Sequence, residues 1–208
     1  MNGNLHPGLN LHGTDPGTHL EAEATIFGFW VFLMADLVLF ALLLAVYASM
    51  SIHGTGGGPG PADLFELRMP FLQTLTLLAS SFTVGLAMLR VKYDDDARGL
   101  ALWLGLTGVL GLLFLGLEAR DFHELAVTKS APPTRSGFLS AYFLLTGIHW
   151  LHIAGGLVWM VVLGIQRTLF GAWRPVKLRL MRFGLYWHLL DVVWVGIFSF
   201  AYLFGVIA

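Results

Sequence analysis

The chain has 208 residues, of which 56% are hydrophobic and only 12% charged, about half the charged fraction of an ordinary soluble domain. A formal net charge of −1 gives no footing for nucleic acid or a polyanionic substrate, and the absence of cysteine excludes disulfides, iron–sulfur clusters and cysteine-ligated zinc. The apolar residues are gathered into long blocks, the pattern of a membrane protein.

Residues 1–25 read as a polar, Gly- and Pro-containing tail with His6, His12 and His19. The tail holds no Lys or Arg and no apolar core, so a cleaved signal peptide is not expected and the first span itself directs insertion. Irregular polar surroundings favour a solvated tail over a metal site for the three histidines. Five segments follow that are long enough to cross a bilayer, 26–49, 70–91, 99–119, 137–165 and 184–207, given that a spanning helix needs about 20 apolar residues. The expected fold is an all-α membrane protein, a five-transmembrane-helix bundle over residues 26–208.

The first connection contains Gly54-Thr55-Gly56-Gly57-Gly58-Pro59-Gly60-Pro61, a turn-rich stretch, and then Asp63 and Glu66, spaced like a capping box for a short interfacial helix. Asp94, Asp95 and Asp96 make the second connection a solvated turn, and the fourth, 166–183, carries Arg167, Arg174, Lys177, Arg179 and Arg182. The side holding the tail and these two connections has eight Lys and Arg, against four on the other. The amino terminus is therefore expected in the cytoplasm and the carboxy terminus outside. No internal repeat is visible, which argues against a duplicated transporter built around an intramembrane acid.

Ionisable residues inside spans each need a reason, because a carboxylate at the bilayer centre costs about 2.5–3.5 kcal/mol on insertion scales. Asp36, near the middle of the first span, shares a face with Phe29, Phe40 and Tyr47 and reads either as an interhelical hydrogen-bonding group or as part of a proton relay. In the fourth span Tyr142, Thr146, His149, His152 and Gly156 form a stripe about 120° wide. Two histidines three apart suit interhelical hydrogen bonds better than haem, whose axial ligands approach from opposite faces. Glu118, Asp121, His123 and Glu124 gather at the end of the third span, spaced for a cation site but expected as a solvated or salt-bridged surface. Gly105, Gly108 and Gly111, together with Ser81 and Gly85, offer close helix approach. In the last span Trp187, His188, Asp191 and Trp194 fall within roughly a third of the helix circumference. That stripe is expected to face protein rather than lipid.

Trp187-His188-Leu189-Leu190-Asp191-Val192-Val193-Trp194 resembles the last-helix motif of subunit III of the haem–copper terminal oxidases. Gly147-Ile148-His149-Trp150-Leu151-His152 with Gly155-Gly156 is similar to that family's paired-histidine helix, Glu118 through Phe122 to its third-helix end, and Phe32 through Phe40, with Asp36, to its acidic first helix. Arg135 through Ala141, Gly56-Gly57-Gly58-Pro59 and Asp63 through Leu67 most resemble the ubiquinol-oxidising branch, the cytochrome bo type. The resemblance runs from about Ile26 to the end of the chain.

It implies an accessory subunit with no redox centre and no active site of its own. The haems and copper are expected in the large subunit I, with subunits II and IV as further partners, phospholipid bound, and the whole in the bacterial inner membrane. The resemblance places Asp36 at the position of the family's carbodiimide-reactive acid. Asp36, Glu118, Asp121, His149, His152, Trp187, His188 and Asp191 are then structural or lipid-linked groups. Three departures stand out: Trp150 replaces a frequent glycine, Asp121 a frequent Glu, and Gln73 a Glu carried by some relatives. Two other readings stay open. One is the corresponding subunit of a cytochrome c oxidase or a nitric oxide reductase, and the other a stand-alone membrane cytochrome holding haem on His149, His152 or His188.

Overall fold

A computed structural model describes residues 16–91, 97–170 and 174–207, and it is helical with no strand among them. His6 and His12 of the tail and the acidic turn of Asp94, Asp95 and Asp96 lie outside the described residues. The helices are α1 (Pro16–His53), α2 (Pro61–Leu64), α3 (Arg68–Leu89), α4 (Ala97–His123), α5 (Gly137–Phe170), α6 (Arg174–Ile197) and α7 (Phe204–Ile207). One π-helical segment, Glu124–Thr128, continues α4, and another, Phe198–Leu203, joins α6 to α7. Five helices are long and apolar enough to cross a membrane.

These helices run beyond the apolar blocks. The first begins at Pro16, inside the stretch read as an irregular tail, and the last at Arg174, ahead of Lys177, Arg179 and Arg182. Hydropathy marks the segment that lipid must cover, whereas backbone hydrogen bonding carries a helix on into the polar interface. At 38 residues and 1.5 Å per residue, α1 is about 57 Å long, well over the ~30 Å hydrocarbon core.

Local chemistry sets the breaks. Beyond the π turn, Ser130 takes a left-handed φ of 48°, and Pro132 and Pro133 cannot continue a helix. Ser136 then opens α5 as its N-cap, its Oγ accepting from the Leu139 amide at 3.2 Å. In the first connection Gly56 and Gly57 adopt φ of 61° and 78°, a conformation glycine takes without steric cost. Asp63 sits inside the short helix α2, not ahead of it, with Oδ2 accepting from the Gly60 amide at 2.9 Å. The spacing with Glu66 therefore misplaces the start of that helix.

α6 is central, packing against α1, α3 and α5, while α4 bridges α3 and α5. Trp187 and Trp194 of α6 are fully buried. Two glycines make room for Trp187. A Cβ on Gly111 (α4) or Gly156 (α5) would come within 3.0 Å of its ring. Gly105 has nothing within 4 Å and makes no such contact. The indole Nε1 groups donate to α3, Trp187 to Ser80 Oγ at 2.8 Å and Trp194 to Thr74 Oγ1 at 3.0 Å. An indole in an apolar interior needs such an acceptor. α1 is the least buried of the five spans but is tied in by Tyr47, whose hydroxyl donates to the Ala201 carbonyl in the π turn at 3.0 Å. π turns rearrange the backbone ladder, which leaves room for an outside donor of this kind.

Candidate functional site

The polar residues expected to matter sort into three groups at different places in the bundle. In the first, almost midway along α1, Asp36 Oδ1 lies 3.4 Å from His152 Nε2. His152 Nδ1 is 2.7 Å from the Ile148 carbonyl, which can only accept, so that nitrogen carries the hydrogen. Nε2 is thus the ring nitrogen that faces the Asp36 carboxyl. Phe40 covers the pair, its ring centroid 5.2 Å from that of His152, and the Tyr186 hydroxyl donates to the His152 carbonyl at 2.8 Å. The group joins α1, α5 and α6.

His149, one turn before His152, has a different environment. It is fully buried and its two ring nitrogens have no partner. Trp194 stacks on it at 5.3 Å and Phe114 meets it edge-on at 5.9 Å. The stripe thus divides, with its centre packed among aromatics and its edge turned to α1. His188 points elsewhere again, towards α3. The three histidines do not converge, and among the described residues no three His, Asp or Glu side chains gather as a metal-binding group.

The second group corrects an expectation. Glu118 is fully buried and neither of its oxygens has a partner, so it belongs to the interior, not to a solvated surface, whereas His123 is exposed. The apolar block ends near residue 119, but the helix continues and folds Glu118 inward against α3. There Gln73, also fully buried, donates from Nε2 to Asp121 Oδ2 at 2.8 Å. Two of the three residues read from the sequence as departures from the family pattern therefore meet each other. Tyr142 and Tyr202 share a hydrogen bond of 2.7 Å, and Lys129 Nζ donates to the Leu64 carbonyl at 2.6 Å. With Glu66 and Asp121 these residues line a cavity of about 60 Å³. The third departure, Trp150, donates from Nε1 to the Leu115 carbonyl of α4 at 3.1 Å, a contact no glycine could make.

The third group lies on α6. Trp187, Asp191 and Trp194 are buried as the stripe predicts, but His188 is exposed. It stands about 100° from Trp187 on the helix, at the edge of the stripe, and its Nδ1 lies 2.7 Å from Ser81 Oγ of α3. Both Asp191 oxygens are without a partner. Ser81 is the member of this group that sequence reasoning read only as a small packing residue. A serine gives no signal until the opposing helix is known.

The arrangement is that of a multi-pass membrane protein whose polar groups tie helix to helix. The profile of the family described as cytochrome c oxidase subunit III matches residues 10–206. The chain is 44% identical over 187 residues to the cytochrome bo(3) ubiquinol oxidase subunit 3 of Pseudomonas aeruginosa, covering 90% of this chain and 88% of that one. It is 41% identical to the protein of the same description in Pseudomonas putida, over 91% and 90% of the two chains. It is 40% identical to the cytochrome c oxidase subunit 3 of Alkalihalophilus pseudofirmus, over 90% of each. The chain belongs to the cytochrome c oxidase subunit III family.

Proposed function

We propose that this chain is the accessory subunit III of a proton-translocating terminal oxidase that oxidises ubiquinol and reduces oxygen to water. The observation that carries the reading is the near end-to-end match, at 44% identity, to a ubiquinol oxidase subunit 3. On this reading the haems and copper belong to subunit I, against which the chain packs, with subunits II and IV as further partners. The chain itself is non-catalytic and sits in the bacterial inner membrane with its amino terminus cytoplasmic, an orientation supported by the excess of Lys and Arg on that side.

Two features support a structural and lipid-binding part. The Asp36–His152 contact fastens α1, the least buried span, to α5, and on this reading it steadies the helices that border the proton-entry region of the large subunit. A mostly apolar groove of about 680 Å³, lined by Leu44, Tyr47, Ile52, Phe200 and Phe204 among others, has the size and lining for a phospholipid acyl chain.

Purification of the complex through a tag on this chain, followed by identification of the partner chains and extraction of haem, tests the reading. Haem–copper subunits are expected in the eluate, and their absence would sink it. The 40% identity to a cytochrome c oxidase subunit 3 favours a second reading, the same role in an enzyme fed by cytochrome c. A dinuclear copper centre in the co-purified subunit II selects the second reading, and its absence selects the first.

A further inference from the structure

Two stretches far apart in the sequence meet at one end of the bundle. The turn-rich connection after α1 and the start of α5 are joined by the Phe138 amide, which donates to the Gly54 carbonyl at 3.1 Å. Beside that bond is a polar cavity of about 220 Å³, lined by residues 55–59 together with Arg135, Ser136 and Leu139. The cavity stands where two spans end, at His53 and at Gly137. That is the level at which apolar core gives way to lipid headgroups.

The lining has the chemistry of an anion site. Arg135 Nη1 donates to the Ser130 carbonyl at 2.7 Å, which anchors the guanidinium and leaves its other N–H groups to a ligand. The Ser136 hydroxyl accepts from the Leu139 amide at 3.2 Å, so its own hydrogen is left to donate. Gly56 and Gly57, both at positive φ, are the centre of a turn closed by the Gly58 amide on the Thr55 carbonyl at 3.0 Å. That closing bond uses neither of their amides. Among the described residues no Asp or Glu lines the cavity, and Asp63, the acid next along the chain, has its Oδ2 taken by the Gly60 amide at 2.9 Å. One fixed positive charge among several donors suits a phosphate.

We propose that this cavity holds the phosphate of a phospholipid with a net negative headgroup, whose acyl chain lies in the apolar groove next to it. Cavity and groove meet at one peptide bond, since Pro59 lines the first and Gly60 the second. On α1 the groove runs from Ala41 to Ile52, about 16 Å of helix, which matches the ~15 Å of apolar core in one leaflet. A zwitterionic headgroup suits the site less, because its ammonium finds no carboxylate in the lining. The proposal rests on, and sharpens, the lipid-binding part of the reading above.

The test titrates the intact complex, purified through a tag on this chain, with phosphatidylglycerol or phosphatidylethanolamine and counts bound lipids by native mass spectrometry. Arg135→Gln is expected to weaken the binding of phosphatidylglycerol about five-fold, the effect of one basic side chain on an anionic lipid surface, and to leave phosphatidylethanolamine unchanged. Arg135→Lys keeps the charge and is expected to stay within about twofold of the parent. Ala48→Trp puts bulk into the groove and is expected to weaken phosphatidylglycerol at least as much as Arg135→Gln. Equal losses in the Lys and Gln variants overturn the charge recognition. A loss in Arg135→Gln with none in Ala48→Trp marks a simple anion site and overturns the lipid as its occupant. A loss in Ala48→Trp alone overturns the headgroup site. No loss in any variant overturns the proposal and leaves the subunit assignment standing, because the complex has co-purified. A chain that brings down no haem–copper subunit overturns that assignment instead, and the same titration of the full chain still decides the lipid site.

Discussion

Single residues in this bundle matter through the space and the hydrogen bonds they leave for others. Gly156 is the clearest case, since a side chain there meets the Trp187 and Tyr186 rings at 3.0 and 3.1 Å. Gly156→Ala is expected to destabilise the chain by about 1–3 kcal/mol, the usual cost of overpacking. Gly155→Ala, with nothing within 4 Å, is expected to be neutral or stabilising by up to about 1 kcal/mol, because alanine is the better helix former. Thermal unfolding of the two variants in one detergent checks the pair, and equal shifts would refute the slot. Asp191→Leu replaces the buried carboxyl of the α6 stripe with a bulkier branched side chain. It is expected to lower the yield of assembled complex several-fold while turnover per assembled complex stays normal. An intact, stable complex with abolished oxygen reduction would contradict that.

Between helices, polar pairs set which faces meet. Gln73 and Asp121 pin α3 to α4, and Gln73 is fully buried. Asp121→Ala strips the Gln73 amide of its acceptor and is expected to cost about 1–3 kcal/mol, the penalty for an orphaned buried polar group. Replacing both residues with leucine removes the orphan along with the bond, so the double variant is expected to recover most of that loss. A double variant as unstable as Asp121→Ala would show that the pair is not acting as a unit. The same logic applies to Trp150, whose Nε1 finds the Leu115 carbonyl on α4.

For the whole molecule Asp36 with His152, together with Tyr47 on the Ala201 carbonyl, holds α1 against the rest of the bundle. Asp36→Asn keeps the shape of the side chain and removes the carboxyl. In the intact oxidase the expected outcome is normal assembly and normal initial proton pumping, followed by faster loss of activity during turnover as the bundle loosens. Loss of pumping at the first turnover, before any inactivation, would show a direct part in proton transfer instead. Pumping stoichiometry and activity, followed over successive turnovers, separate the two.

Length, hydropathy and the order of its motifs were enough to place this chain as an all-α, five-span membrane protein and to point to its family. Lipid forces backbone polar groups to be satisfied within each segment, so apolar blocks of sufficient length can only be helices. The burial of Trp187, Asp191 and Trp194 was legible too, because three positions on one stripe point one way. What lies across from that stripe was not. The α6 histidine at its edge turned out to be exposed, Glu118 turned out to be buried, and Gln73 turned out to be the partner of Asp121. Helical period tells which residues share a face, and only the packing of one helix on another tells what that face touches. The last helix, with its two indoles inside and one imidazole outside, carries both kinds of information.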